Sequence, residues 1–285
     1  MRVVHLTDPH LVAPNGRLYG LDPLARLDQA LAHIRRHEPA AERLLVTGDL
    51  TDRGEEAAYR ALAERLAQMP QPATLLLGNH DARAAFRRVF TDAATTADGF
   101  VQTAIDGADG VSLVTLDTLV PDADHGALDG GRLDWLEATL AARAERAVYL
   151  AMHHPPVASG IPGMDAIGLA DAEAFWRVLG RAPQVRHVFA GHIHRPFFAR
   201  RGHVTVSTLP GPAHQVHLQY AAEDAVLGSL EPGCYGVARL GADGFDVHVR
   251  AFTDTSPRFV FGEASNRAAT PGALPAVPPP YDRLV

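Results

Sequence analysis

Residues 185–196 read VRHVFAGHIHRP. The apolar run Val185 to Ala190 has the length and composition of a strand, and His192 and His194 follow it directly, two apart. On extended backbone successive side chains alternate between faces. The two imidazoles are therefore expected to point the same way, toward whatever lies beyond the C-terminal end of that strand.

Working outward, apolar strand-like runs alternate with amphipathic helical stretches. Strands are expected at Arg2 to Thr7, Leu44 to Thr47, Thr74 to Leu77, near Phe100 to Ile105, at Val111 to Leu116 and at Ala147 to Met152. Between them, Asp22-Pro23 reads as an N-cap and first helical residue, opening a helix with Leu24, Leu27, Leu31 and Ile34 on one face. Further helices are expected from about Glu55 to Gln68, Gly131 to Arg143 and Ala172 to Leu179. From Val204 the pattern changes to short strands, at Val204 to Ser207, Gln215 to Gln219, Cys234 to Leu240 and Phe245 to Phe252. The class is α/β, a layered domain whose last part adds antiparallel strands. Residues 1–261 read as one domain, with 203–261 its late strands and a candidate dimerisation element. Residues 262–285 form a proline-rich tail.

Composition narrows the function. All 26 basic residues are arginine, so a phosphate-loop lysine, a Schiff-base lysine and a lysine general base are excluded. A net charge of −7 argues against a partner held through long runs of nucleic-acid phosphate, and favours a small ligand. Cys234 is the single cysteine, so no internal disulfide forms. No window approaches the roughly 18–20 apolar residues needed to span a bilayer. The N-terminal MRVVHLTDPH enters a strand without a basic and apolar leader, so a cytoplasmic location is expected.

The strand ends carry the chemistry. The first ends in TDPH, the second in TGDLTD, the third in LGNHD, the Ala147 strand in MHHPP and the Val185 strand in GHIH. Taken singly, each has an ordinary reading as a turn, a strand stop or a pair of core histidines. Five in succession do not, because in open α/β sheets the functional crevice lies beyond the carboxyl ends of the strands. Carboxylates, an amide oxygen and neutral imidazoles suit Mn, Fe, Zn or Co, and a structural zinc site would want several thiolates, which a chain with one cysteine cannot supply. Seven donors exceed one centre that must keep an open position, so two metals are expected. The remaining histidines, including His5, His33, His37, His187, His203 and His248, lack this placement and read as surface or core.

DPH, GDLTD, GNHD, HHPP and GHIH, in this order across residues 8 to 194, resemble the signature of the calcineurin-like metallophosphoesterases. The resemblance implies a four-layer αββα sandwich with a C-terminal β-rich extension and a dinuclear site of divalent or mixed-valence ions. Carried over motif by motif, it implies that Asp8, His10 and His194 hold one metal and Asn79, His153 and His192 the other, with Asp49 bridging. His153 is taken over His154 because the family's ligand precedes a residue–proline pair. Asn79 and His80 are implied contacts to the substrate, His80 reaching its phosphate or leaving oxygen. Asp81 has two readings, one orienting His80 and the other capping a helix at Asp81-Ala82.

The segments PPVASGIPGMDAIGLADAEAF and LDTLVPDADHGALDGGRLDWLEATL resemble the bacterial class III branch, which acts on cyclic nucleotides and glycerophosphodiesters. Gly163 stands where that branch often has a histidine, and His214 resembles one of its pocket residues. The resemblance thus implies hydrolysis of small phosphodiesters, foremost 3′,5′-cyclic AMP to 5′-AMP, by a metal-bound hydroxide. Glycerophosphodiesterase activity and a noncatalytic scaffold are the alternatives. The expected partner is a small-molecule phosphodiester, with no long nucleic acid and no membrane, and the chain is expected to form a homo-oligomer.

Overall fold

The computed structural model describes residues 1–221 and 225–256. The elements run β1 (Arg2–Leu6), α1 (Pro23–His37), β2 (Arg43–Thr47), α2 (Glu56–Leu66), β3 (Ala73–Leu76), α3 (Arg83–Val89), β4 (Thr103–Asp106) and β5 (Val111–Thr115). They continue through α4 (Gly130–Ala141), β6 (Ala147–Ala151), α5 (Pro162–Asp165), α6 (Ala172–Leu179), β7 (Val185–Phe189), β8 (Phe197–Arg201) and β9 (Val204–Thr208). The last are β10 (Gln215–Val216), β11 (Gly228–Ser229), β12 (Cys234–Leu240) and β13 (Phe245–Ala251).

Two sheets face each other. One has the order β13-β12-β1-β2-β3 and the other β4-β5-β6-β7-β9-β8. Within the first, β1, β2 and β3 are parallel neighbours; within the second, β5, β6 and β7 are. Strands buried on both faces read as near-continuous apolar runs, as AVYLA does and as RVVHL and RLLVT do beyond their first arginine, with His5 and Thr47 as buried polar exceptions. Val3, Leu45 and Leu76 meet Val111, Tyr149 and Phe189 between the sheets. Helices α1 to α3 cover the outer face of the first sheet through Leu27, Ile34, Tyr59 and Phe86. Helices α4 and α6 cover the second through Leu136, Leu140 and Phe175. The result is four layers in the order αββα.

The start of α1 follows its sequence signal: the Asp22 carboxylate accepts from Ala25 N at 3.0 Å and Pro23 opens the helix. The late strands are built into both sheets, with β12 antiparallel to β1 and β9 parallel to β7. Among the elements that differ from expectation are three strands. The strand expected near Phe100 starts only at Thr103, because Val101 N donates to Asp117 and the Phe100 ring lies against the guanidinium groups of Arg83 and Arg132. Gln215 to Gln219 pairs over two residues alone, since the Gln215 amide is bonded twice to the Gly211 backbone. FFARR forms an edge strand, β8, that its charge and short length conceal. The tail at 262–285 lies outside the described residues. Among the described residues, no helix is long and apolar enough to cross a membrane.

Candidate metal centre

The carboxyl ends of β1, β2 and β3 point to the same edge of the molecule as those of β6 and β7, and the five motifs meet across the gap between the two sheets. The loops are stitched by backbone bonds: Asp8 N donates to Gly48 O, His10 N to Asp49 O and Gly191 N to His153 O. His192 N donates to both oxygens of Asp8 at 3.1 Å.

β7 stops at Phe189, so the alternation expected of His192 and His194 does not apply. Both residues have left-handed backbone, φ +70° and +50°, and their rings go to opposite halves of the site. Asp8, His10 and Asp49 are left-handed as well, at +51°, +43° and +46°. Each such residue costs about 1–2 kcal/mol, a strain that clusters where side chains must be aimed. Two glycines make room. Gly48 has φ +93° and lies under the His153 ring, and a Cβ on Gly78 would overlap the Asp49 carboxylate.

In one half, His10 Nε2 lies 3.1 Å from His194 Nε2 and 3.3 Å from Asp49 Oδ2, and His194 Nε2 is 3.5 Å from Asp8 Oδ1. In the other, Asn79 Oδ1 lies 3.1 Å from His153 Nε2 and 3.2 Å from His192 Nδ1. Asp49 Oδ2 is 3.4 Å from His153 Nε2, which puts that oxygen between the halves. Two ligands about 2.1 Å from one cation stand roughly 3.0–3.4 Å apart, so these spacings are those of donors sharing an ion.

The tautomers agree. His153 Nδ1 is bonded to Thr47 O at 2.8 Å and His194 Nδ1 to His214 O at 3.0 Å. A carbonyl only accepts, so both rings carry a proton on Nδ1, and Nε2 is the nitrogen each turns inward. The His194 Nε2 so aimed faces His10 Nε2 beside the Asp49 and Asp8 carboxylates, a set of donors that one cation between them would share. His192 Nε2 is buried without a partner among the described residues, consistent with a ring fixed by its other nitrogen. The residues present therefore fit a metal pair.

Electrostatics point the same way. Burial pushes the pKa of His192 well down and that of His194 down, which keeps both neutral. Burial also opposes the Asp49 charge, but His153 and His10 outweigh it and hold this carboxyl well below its usual range. His153, despite burial, is pushed up to about 9 by Asp49 and Asp8, a proton that a cation would replace.

All seven anticipated ligands are thus together, and His153 rather than His154 faces Asp49 and Asn79. His154 turns to Thr118 Oγ1 at 2.8 Å and Asp124 O at 3.2 Å. His80 lines the cavity above Asp49, its backbone N–H donating to Asp49 Oδ1 at 2.9 Å. The His214 ring is 4.9 Å from those of His10 and His194. Neither reading of Asp81 holds. Ala82 caps α3, and the Asp81 carboxylate accepts from Leu50 N, Thr51 N, Gly78 N and Tyr59 Oη, tying the second motif to the third. Burial, with Asp49 nearby, raises its pKa to about 6.

Sequence reasoning missed Asp52, the second acid of GDLTD. Its Oδ1 is 3.4 Å from His10 Nδ1 and its carbonyl accepts from His80 Nδ1 at 2.9 Å. Its position within a quoted motif was the available signal. Also missed was a relay in which Thr47 Oγ1 donates to Thr7 Oγ1, and Thr7 to Asp8 Oδ2 at 2.6 Å.

Fold, donor geometry and motif order together define a class: the chain belongs to the calcineurin-like phosphoesterases, whose sequence model matches residues 1–196. Among its relatives, a probable cyclic nucleotide phosphodiesterase of Rhodopseudomonas palustris is 41% identical over 262 residues, 91% of this chain and 95% of that protein. A 3′,5′-cyclic adenosine monophosphate phosphodiesterase of Pseudomonas aeruginosa is 32% identical, covering 85% of this chain and 86% of its own. Among solved structures, a dimetal phosphatase from Danio rerio aligns with TM-score 0.69 at 16% identity, over 89% of this chain and 96% of that one, a likeness of fold.

Proposed function

We propose that this chain is a metal-dependent phosphodiesterase that hydrolyses 3′,5′-cyclic nucleotides, cyclic AMP to 5′-AMP foremost. The observation that carries the reading is the cavity above the donors, about 560 Å³, within the range of small-ligand sites. Its floor is His10, Asp49, Asn79, His192 and His194, and its walls include Met164, Ile167, Val216, Val226, Leu227 and Leu230. No arginine lines it among the described residues. A dianionic monoester or a polyanion would call for further cationic side chains, whereas a monoanionic diester with an apolar body matches a charged floor and an apolar wall. Two relatives that align along most of this chain are named as cyclic nucleotide phosphodiesterases, which supports the same substrate. Gly163 packs beneath Val226, where any Cβ would overlap a methyl of that wall residue, so the missing histidine leaves the wall apolar.

Asp8, His10, Asp49 and His194 would hold one ion, and Asp49, Asn79, His153 and His192 the other. This donor set suits Mn, Fe, Zn or Co. Bound there, two divalent ions lower the pKa of water and neutralise phosphoryl charge. The rest falls to side chains. His80 Nδ1 donates to the Asp52 carbonyl in either charge state, so Nε2 is the nitrogen that takes up or releases a proton. With the phosphate seated inward, Nε2–H hydrogen-bonds a phosphoryl oxygen or protonates O3′ as the P–O3′ bond breaks. Water oxygen ends on phosphorus, and 5′-AMP leaves.

The test is a competition. Mn-loaded protein is incubated with 3′,5′-cyclic AMP, 2′,3′-cyclic AMP and glycerophosphoethanolamine, and products are separated by HPLC. Formation of 5′-AMP as the fastest channel is expected; faster consumption of glycerophosphoethanolamine would move the assignment to glycerophosphodiesters.

A further inference from the structure

Residues 18–21 close a two-residue hairpin. Leu18 N donates to Leu21 O at 3.0 Å, and Leu21 N to Leu18 O at 2.9 Å. Tyr19 and Gly20 form the turn, and both have positive φ, +50° and +80°. Such a turn takes Asn, Asp or Gly at its first position, because a larger side chain on left-handed backbone crowds the next carbonyl. Tyrosine is held there against its preference, and the fold gains little from it. The side chain is 69% exposed, and its hydroxyl has no hydrogen-bond partner among the described residues.

What the ring does touch belongs to the site. Its centroid lies 4.8 Å from that of His214, at an interplanar angle of 64°. His214 in turn lies against His10 and His194. Rings thus run outward from the metal donors to Tyr19, which lines the same cavity as Val226, Leu227 and Leu230. In a cyclic nucleotide the fused ribose separates phosphorus from the base, so a phosphate on the donors carries the base outward, level with a ring beyond His214. A strained, exposed aromatic at that distance is a stacking surface.

Resting on the functional reading above, we propose that Tyr19 is the residue on which the substrate's base stacks, and that it selects nucleotide diesters over diesters without a base. The test is competitive inhibition of cyclic AMP hydrolysis by 5′-AMP and by ribose 5-phosphate, which share a phosphate and differ in the base. Wild type is expected to bind 5′-AMP more tightly, and Tyr19→Phe to keep that preference. Tyr19→Ala and Tyr19→Asn should lower it about 5- to 50-fold, with the inhibition constant of ribose 5-phosphate within about twofold of wild type. Tyr19→Asn supplies the residue the turn favours, so its Tm should equal or exceed that of wild type, and lost preference cannot be ascribed to misfolding. An unchanged preference in both variants, or equal weakening of both inhibitors, overturns the assignment. Wild type that consumes glycerophosphoethanolamine but not cyclic AMP overturns the functional reading itself, before any Tyr19 variant is compared.

Discussion

Buried histidines occur in two regions of this molecule and do different things. Between the sheets, His5 and His187 flank Phe189, with ring centroids 5.4 and 4.5 Å from it. His187 is bonded to Thr205 Oγ1 and Ser207 Oγ, and His5 Nε2 to Thr47 Oγ1. At the strand ends, His10, His153, His192 and His194 are as deeply buried, yet their nitrogens face one another, an amide oxygen and two carboxylates. Burial does not make a histidine a ligand; the partner does. A hydroxyl can give or take a proton and satisfies one imidazole nitrogen, whereas imidazoles, an amide oxygen and carboxylates converging on shared points make up the donor set of a cation.

The largest effect expected from breaking the strand-end set comes from Asp49→Ala. It removes the one oxygen shared by both halves, so metal content measured by ICP-MS should fall in both and turnover by more than about 10²-fold. His187→Leu, equally buried, should leave metal content unchanged. Loss of metal from His187→Leu, or retained hydrolysis by Asp49→Ala, would erase the distinction between the regions.

His80 is next. It faces the cavity and its ring is held by Asp52, not by the donor set. His80→Ala is expected to keep its full metal content while kcat falls about 10²- to 10⁴-fold. Lost metal would make it part of the donor set, and an unchanged kcat would remove it from the reaction.

Acid sharpens the comparison from the other side. Burial pushes His5 and His187 down to about 3, His5 with help from the nearby His187. Between pH 6.5 and 3 the unfolded chain binds protons at these positions and the folded chain does not, so stability falls as pH falls. Each site should cost about 2 kcal/mol between pH 7 and pH 5. Denaturant unfolding at both pH values should show a shallower decline in His187→Leu than in wild type. Equal slopes would mean that the core histidines do not report their burial.

The positions of the donors were legible in the sequence because each motif ends an apolar run, and parallel strands deliver such ends to one edge. Illegible was the division of those ends between two sheets, since strand order depends on pairings far apart in sequence. The aim of His192 and His194 was misread for a local reason: both sit on left-handed backbone, which no side-chain pattern announces. Asp81 looked like a cap because it precedes a helix, but five donors, from the loops after β2 and β3 and from α2, claim its carboxylate. Tyr19 was silent because an exposed tyrosine in a turn has no periodicity to betray it.

The smallest effect belongs to the rim. Arg195 directly follows His194 of the donor set, and its Nη1 donates to Val216 O at 2.8 Å and to Glu231 Oε2 at 2.6 Å. Ser229 Oγ donates to the same carboxylate oxygen at 2.9 Å. One guanidinium thereby ties the chain beside His194 to both strands of the β10–β11 hairpin, which forms part of the cavity wall. Unlike the donors, this pair is wet: the Glu231 side chain is 49% exposed, so its contribution is small and screened by salt. Glu231→Ala is expected to raise KM for cyclic AMP about two- to threefold with kcat retained, and the ratio to wild type should shrink toward one as ionic strength rises. A drop in kcat at constant KM would instead mean that the latch positions His194. The border between donor set and pocket wall would then lie further out than the burial of these residues suggests.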